Sequence, residues 1–174
     1  MRRMQRLATA TGLLFLVLPA SPLLSQSRPA CTAPIYRQFD FWIGAWEVRR
    51  PDGALAGTNV IDTLLGGCAL RERWSGSRGG HGTSLNSWNR IDRRWHQIWV
   101  DDSGLFLELE GGLEGDRMVM SGVLPSRSDS TKSAQQRVTW TPLPGGKVRQ
   151  LWEASEDGGR TWATVFDGVY ERKP

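Results

Sequence analysis

Indole rings alternate with carboxylate and amide side chains at several places in this 174-residue sequence, which contains nine tryptophans. Residues two apart in a β-strand lie on the same face, so each such pair would present an aromatic ring beside a polar group. A face of this kind suits a cavity that stacks on a flat ligand and orients its polar edge. The predicted ligand-binding residues are Glu72, Trp74, Asn86, Trp88, Gln97, Trp99, Gln150 and Trp152.

Two interpretations of these faces remain open from the sequence. The side chains either line a ligand cavity or fill a small barrel solidly, with the glutamate and glutamines bonded to each other or to Arg149. A single β-bulge would also reverse the face of a whole strand. Glu72 is in addition a candidate general base, because burial among tryptophans would raise the pKa of its carboxyl group.

Other catalytic patterns are absent from the sequence. It contains no Gly-x-Ser-x-Gly elbow and no His-Glu-x-x-His motif. His81 lies in the glycine-rich stretch "RGGHGTS", which predicts a flexible turn, and His96 is expected on a strand. Asp101 and Asp102 in "DDSG" are typical of a hairpin turn, since a calcium loop needs more oxygen ligands. We therefore predict no catalytic residue, no metal site and no cofactor.

The segment "SEDGGRTW" resembles the Asp box of sialidase propellers, Ser-x-Asp-x-Gly-x-Thr-Trp. Those propellers repeat the box in several blades and are much longer chains, whereas it occurs here once, between two strand-like segments. We interpret it as a turn clamp in which the aspartate accepts backbone N–H groups and the tryptophan packs under the hairpin. The predicted structural-turn residues are Ser155, Asp157, Gly159, Thr161 and Trp162.

Short alternating segments separated by Gly, Asp and Pro predict ten β-strands and no long amphipathic helix. They cover residues 45–50, 57–65, 69–75, 83–89, 95–101, 105–110, 117–123, 137–141, 148–154 and 161–171. The short connections exclude a parallel βαβ architecture. We predict an all-β fold, an antiparallel up-and-down barrel of the calycin or lipocalin type, over the alternative of a sandwich. The aromatic residues of "FDFWIGAW" are expected in a short turn or 3₁₀ segment that plugs one end.

The first residues predict a secretory signal peptide at 1–27. A basic start, "MRRMQR", precedes the apolar stretch "LATATGLLFLVLPA", which is too short to span a bilayer. Cleavage is expected after Ser27, with Ala20 as the weaker alternative, and an uncleaved anchor or lipidation at Cys31 is disfavoured. The predicted mature chain, 28–174, is a single domain, located in the periplasm or secreted, and not an integral membrane protein after cleavage.

Charge and cysteines further restrict the function. Removal of the leader lowers the basic residues from 22 to 19, against 18 acidic ones, so the mature chain carries about +1. Basic and acidic residues are interspersed, which argues against nucleic-acid binding. Cys31 and Cys68 are the only cysteines, and in an exported chain they predict a disulfide that holds the N-terminal arm on the domain.

Five motifs together resemble a family of small exported bacterial proteins of unknown function: "FDFWIGAWEV", "GGCALRERW", "WHQIWVDDSG", "RQLWEASEDGGRTW" and "FDGVYER". These proteins are similar to calycin-type barrels and distantly similar to nitrobindin, so the resemblance implies a barrel over the whole mature chain. Nitrobindin binds haem through a histidine late in its chain. The histidines here are both mid-chain, so haem ligation is not implied.

The leading functional hypothesis is a binding protein that holds a small apolar or aromatic ligand in its barrel. One alternative is an enzyme of unassigned type with Glu72 as the general base. The other is a carbohydrate-binding or protein-binding module that uses exposed tryptophans.

Overall fold

The computed structural model describes residues 31–126 and 128–173, which form a closed antiparallel barrel of ten strands. The signal-peptide prediction falls on residues outside this part of the chain. Three short 3₁₀ segments accompany the barrel, at Pro34–Arg37, Asp40–Trp42 and Pro144–Gly146. The strands are β1 Gly44–Arg49, β2 Leu55–Leu64, β3 Ala69–Gly76, β4 His81–Asn89, β5 Arg94–Asp101, β6 Phe106–Glu114, β7 Arg117–Pro125, β8 Ser133–Leu143, β9 Lys147–Ser155 and β10 Ala163–Arg172.

Each strand pairs with the next strand along the chain, and β10 closes the barrel by pairing with β1, where Arg172 lies opposite Trp46. The predicted all-β up-and-down barrel is confirmed, and the sandwich alternative is wrong. Closure leaves no edge among the described strands free to pair with another chain. The tightest connection, Gly115–Asp116 between β6 and β7, requires a left-handed residue, and Gly115 has a φ of 64°.

Some predicted strand boundaries are wrong. His81 was expected in a flexible turn, but it is the first residue of β4, opposite Ser75 of β3. Its backbone N–H donates to the Asp102 side chain at 2.7 Å, which holds the start of the strand. Strand β8 begins at Ser133 rather than residue 137, because its polar Gln135 and Gln136 continue the ladder with β9.

Aromatic side chains plug the end of the barrel at which β1 begins, as predicted. Phe39 and Trp42 have no exposed surface, and their rings stack with centroids 4.9 Å apart. Trp140 packs against both rings, and Trp46 Nε1 donates to the Trp42 carbonyl at 2.9 Å. This end, where the odd-numbered strands begin, is called the plugged end, and the opposite one the cavity end.

A disulfide fastens the N-terminal arm at the plugged end. Cys31 and Cys68 are bonded, with an S–S distance of 1.99 Å, which confirms the predicted pairing. The Arg37 side chain donates to the Gly67 carbonyl in the β2–β3 turn, beside Cys68. The arm that carries the aromatic plug is thus joined covalently and by a hydrogen bond to the same turn.

Candidate functional site

A cavity of about 230 Å³ lies inside the barrel toward the cavity end. Its walls come from the middle and second half of β3, β5 and β9, from the start of β6, from the middle of β8, and from β10 between Val165 and Tyr170. The odd strands arrive at the cavity end and the even strands leave it, so the topology brings these side chains together around one lumen. The lining residues are Glu72, Trp74, Gln97, Trp99, Asp101, Leu107, Val138, Gln150, Trp152, Val165, Phe166 and Tyr170.

Three indoles and a phenyl ring form the upper wall of the cavity, and all four are half-buried. The rings of Trp74 and Phe166 meet edge to face, with centroids 6.0 Å apart. Glycines on the neighbouring strands make room for two of the indoles. An added Cβ would lie 2.7 Å from Trp74 Cζ2 at Gly57 and 2.2 Å from Trp99 Cζ2 at Gly82. The rings therefore cover glycine backbone along the wall, which leaves the lumen open.

Glu72 forms the polar floor of the cavity and is only 4% exposed. Asn59 Nδ2 donates to one of its carboxylate oxygens at 2.6 Å, and Ser84 Oγ donates to the other at 2.7 Å. Burial outweighs these two hydrogen bonds and raises the pKa of Glu72 to about 7. The group can therefore exchange a proton near neutral pH.

Tyr170 joins this floor to Gln150. Its hydroxyl donates to the Gln150 side-chain oxygen and accepts from Asn59 Nδ2 at 3.3 Å. Burial, reinforced by the nearby Glu72 carboxylate, raises the pKa of Tyr170 well above its ordinary value. The phenol consequently stays neutral and keeps its proton as a hydrogen-bond donor.

A second branch of the polar network runs behind the cavity. Gln97 Nε2 donates to Asn86 Oδ1 at 2.8 Å, and Asn86 Nδ2 donates to Ser84 Oγ at 2.9 Å. Because Ser84 itself donates to Glu72, a chain of hydrogen bonds connects β5 to β3 through β4. Buried amides are stabilised in this way without any charged partner.

Asp101 brings a second carboxylate to the cavity, at the rim. Burial tends to raise the pKa of Asp101, but hydrogen bonds from Ser103, Leu105 and Trp99 lower it below its ordinary value. Asp101 is therefore ionised at neutral pH. It combines its predicted turn role, in which it accepts from the Ser103 and Leu105 backbone, with a place in the lining.

The structure brings together six of the eight residues predicted to bind a ligand: Glu72, Trp74, Gln97, Trp99, Gln150 and Trp152 line the cavity. Asn86 is fully buried behind it, and Trp88, nearer the plugged end, packs against the core. Neither lines the cavity. The suggested pairing of Glu72 with Arg149 is wrong, because Arg149 binds Asp167 instead, at 2.6 Å.

Four side chains of the candidate site were not predicted from the sequence: Asn59, Ser84, Tyr170 and Phe166. Strand parity gave a usable signal for the last two, since Phe166 and Tyr170 share a face of β10 with the small Gly168. Nothing in the sequence pointed to Asn59 and Ser84. Their contact with Glu72 depends on the register of β2 and β4 against β3, which sets Ile61 and Ser84 directly opposite Glu72.

The Asp-box hairpin between β9 and β10 has the geometry of a turn clamp. Asp157 accepts the backbone N–H groups of Arg160 and Thr161, each at 2.9 Å, and the hydroxyls of Ser155 and Thr161. These bonds, those from Thr161 foremost, lower the pKa of Asp157 to about 2. Trp162 Nε1 donates back to Gly159. The side chains of Ser155, Asp157, Thr161 and Trp162 are bonded within the hairpin, and Asp157 does not line the cavity.

Neither histidine lines the cavity. His96 lies on the outer face, where its Nε2 is 2.7 Å from the Asp92 carboxylate. With Glu110, these two residues place ligand atoms within 4.8 Å of one another, an arrangement that could hold a metal ion and that the sequence did not suggest. The Glu110 carboxylate is already bonded to Arg94 at 2.7 Å.

No protein-family model matches the chain, and no curated protein matches it either. In the part of the chain that the structure describes, no helix has the length and apolar character needed to cross a membrane. The site itself is therefore the basis on which a function can be proposed.

Proposed function

We propose that this protein is exported and binds a small ligand with an apolar or aromatic body inside its barrel. The observation that carries the proposal is the cavity of about 230 Å³, walled by indoles above a hydrogen-bonded polar floor. Ligand pockets are mostly apolar concavities with a few fixed polar groups, which this composition matches. Its Trp and Phe rings offer flat surfaces for stacking, and Glu72, Gln97 and Gln150 offer polar partners at one side.

The disulfide supports the proposed location, since such bonds persist in oxidising compartments outside the cytosol. The leader-like start of the sequence and the resemblance to exported calycin-like proteins point the same way. Secretion into the periplasm or beyond would deliver a mature chain that begins at Arg28. The intact mass of the protein recovered from the exported fraction checks this, and retention of the first 27 residues would contradict it.

Native mass spectrometry of the exported protein tests the binding proposal. The expected result is a species heavier than the chain itself, which loses a small molecule when the protein is denatured. A thermal-shift screen of small metabolites accompanies it, because a ligand that binds only the folded state raises the melting temperature. The proposal fails if the protein is recovered empty and no compound in the screen moves the melting temperature.

A second candidate function is catalysis with Glu72 as the general base. Its pKa of about 7 and its place in the cavity floor favour this candidate. Glu72→Gln would then abolish turnover of a discovered substrate while the substrate still binds. If Glu72→Gln retains turnover as well as binding, this role is rejected. The third candidate, a surface tryptophan platform, gains no support, because all nine tryptophans are buried or half-buried.

A further inference from the structure

The cavity has a one-sided charge. Glu72 in the floor and Asp101 at the rim both contribute carboxylates, and the lining includes no lysine, arginine or histidine. The basic residues nearest to Glu72 in sequence, Arg71 and Arg73, lie on the outer face of β3, where both bind Asp62 at 2.8 Å. Their charges are thus paired with Asp62 outside the barrel and do not face the cavity.

Glu72 has no cationic partner within salt-bridge distance among the described residues. Its two oxygens accept only from the neutral side chains of Asn59 and Ser84. Buried carboxylates are normally paired with a cation, because removal of an ionised group from water is costly. A buried acid that faces a cavity and lacks a partner leaves a place for a positive charge in the lumen.

The aromatic wall favours the same kind of ligand. Trp74, Trp99, Trp152 and Phe166 lie above the carboxylate floor, and the negative faces of such rings attract cations. Indole is the most effective of these rings. The protein already uses this contact elsewhere, since the Arg137 guanidinium lies 4.0 Å from the Trp162 ring centre, outside the cavity.

We propose that the ligand is an organic cation, an amine or quaternary ammonium with an apolar or aromatic body, whose charge lies between Glu72 and the tryptophan rings. This inference rests on the proposed binding function and names its ligand class. An anionic ligand would meet two carboxylates and no basic group. Above about pH 7, a neutral one would leave the Glu72 charge unpaired.

Proton binding at Glu72 then competes with the ligand. The carboxylate must be ionised to pair with a cation, so affinity rises with pH through the pKa of Glu72 near 7. The other ionisable groups at the cavity do not reverse this trend, because Tyr170 stays neutral and Asp101 stays ionised over that range. Cation binding near neutral pH also releases protons to the buffer.

The test compares benzyltrimethylammonium with its uncharged carbon isostere, neopentylbenzene, and with the anion phenylacetate, by tryptophan fluorescence titration. We expect the cation to bind the wild-type protein at least about tenfold more tightly than the isostere at pH 8, and phenylacetate not to bind. Affinity for the cation should fall about tenfold between pH 8 and pH 6, as protonation removes most of the ionised Glu72. Glu72→Gln should abolish the pH dependence and most of the preference, of which the tryptophan rings and Asp101 retain the remainder.

Glu108→Gln is the matched control, because it removes the same charge from an exposed position on the outer face of β6. It should leave the affinity for the cation unchanged. If the isostere or phenylacetate binds as tightly as the cation, the cation inference is overturned while cavity binding stands. If no probe binds, the inference is also overturned, and the co-purified molecule in native mass spectra decides the proposed function separately.

Discussion

At the scale of single residues, Glu72 combines burial with an unpaired charge. Sequence parity placed it on the inner face, and the structure surrounds it with neutral donors from β2 and β4. These hydrogen bonds stabilise the ionised form, but burial costs more, and the pKa of Glu72 rises from 4.5 to about 7. The folded protein therefore binds the Glu72 proton more tightly than the unfolded chain does.

This difference predicts a pH-dependent stability. Between about pH 4.5 and pH 7 the unfolded chain releases the Glu72 proton while the folded one retains it, so the free energy of unfolding falls as pH rises. Above about pH 7 the folded protein must hold Glu72 ionised, and this lowers the free energy of unfolding by roughly 3 kcal/mol for a pKa shift from 4.5 to about 7. Glu72→Gln removes this cost. Urea unfolding at about pH 4 and about pH 8 should show the variant gaining roughly 3 kcal/mol on the wild type at the higher pH.

The amide introduced by Glu72→Gln can be accommodated. Asn59 Oδ1 lacks a hydrogen-bond partner among the described residues, and a half-turn of that amide would present the oxygen to the new NH₂ group. Glu108→Gln, exposed on the outer face, is the control for the change in net charge. Parallel stability curves for the wild type and Glu72→Gln from pH 4 to pH 8 would show that the carboxyl is not buried as described.

At the scale of elements, the cavity depends on close contact between an indole of one strand and a glycine of the next. A Cβ at Gly82 of β4 would lie 2.2 Å from Trp99 Cζ2, and it would push the ring off the wall into the lumen. Overpacking of this kind costs ~1–3 kcal/mol of folding stability, and the displaced ring occupies space that the ligand needs. In native mass spectra, Gly82→Ala should reduce the fraction of protein that retains its co-purified molecule.

Gly112→Ala is the control for this prediction. Gly112 lies in β6, has no atoms within 4 Å of an added Cβ, and does not line the cavity. This variant should retain the co-purified molecule as the wild type does. Equal retention by Gly82→Ala would mean that Trp99 does not border the binding site.

The strands and their inner faces could be predicted because inward-facing and outward-facing side chains alternate regularly in β3, β5 and β9. Glu72 with Trp74, Gln97 with Trp99, and Gln150 with Trp152 keep one parity each. Depth along the barrel could not be predicted. Trp88 shares the inner face of β4, yet it lies toward the plugged end, where it packs against the core and does not reach the cavity.

Contacts between strands were also beyond the sequence. The Asn59 and Ser84 bonds to Glu72 require the exact register of three strands, which local pattern does not specify. For the same reason the sequence did not predict the grouping of His96 with Asp92 and Glu110 on the outer surface.

At the scale of the whole molecule, the barrel is closed at one end and hollow at the other. The arm with its aromatic plug is bonded through Cys31 to Cys68, 37 residues later in the chain. Loss of this bond in Cys31→Ser/Cys68→Ser should lower the free energy of unfolding by roughly 3–4 kcal/mol in the chain-entropy model. Denaturant unfolding with and without reductant measures it.

The cavity is built from the opposite end of the barrel, so the double variant should still bind the ligand once folded. Reductant should destabilise the wild type to the level of this variant and leave the variant unchanged. If the wild type and the double variant have nearly the same free energy of unfolding, the disulfide does not stabilise the attachment of the arm.

The central claim is that the hollow end of the barrel is a ligand site. A crystal structure of the natively purified, exported protein tests it most directly. We expect electron density for a small molecule against the rings of Trp74, Trp99 and Trp152, with a polar or charged atom within hydrogen-bond distance of the Glu72 carboxylate. Indoles collapsed into the lumen, with no space left above Glu72, would contradict the account.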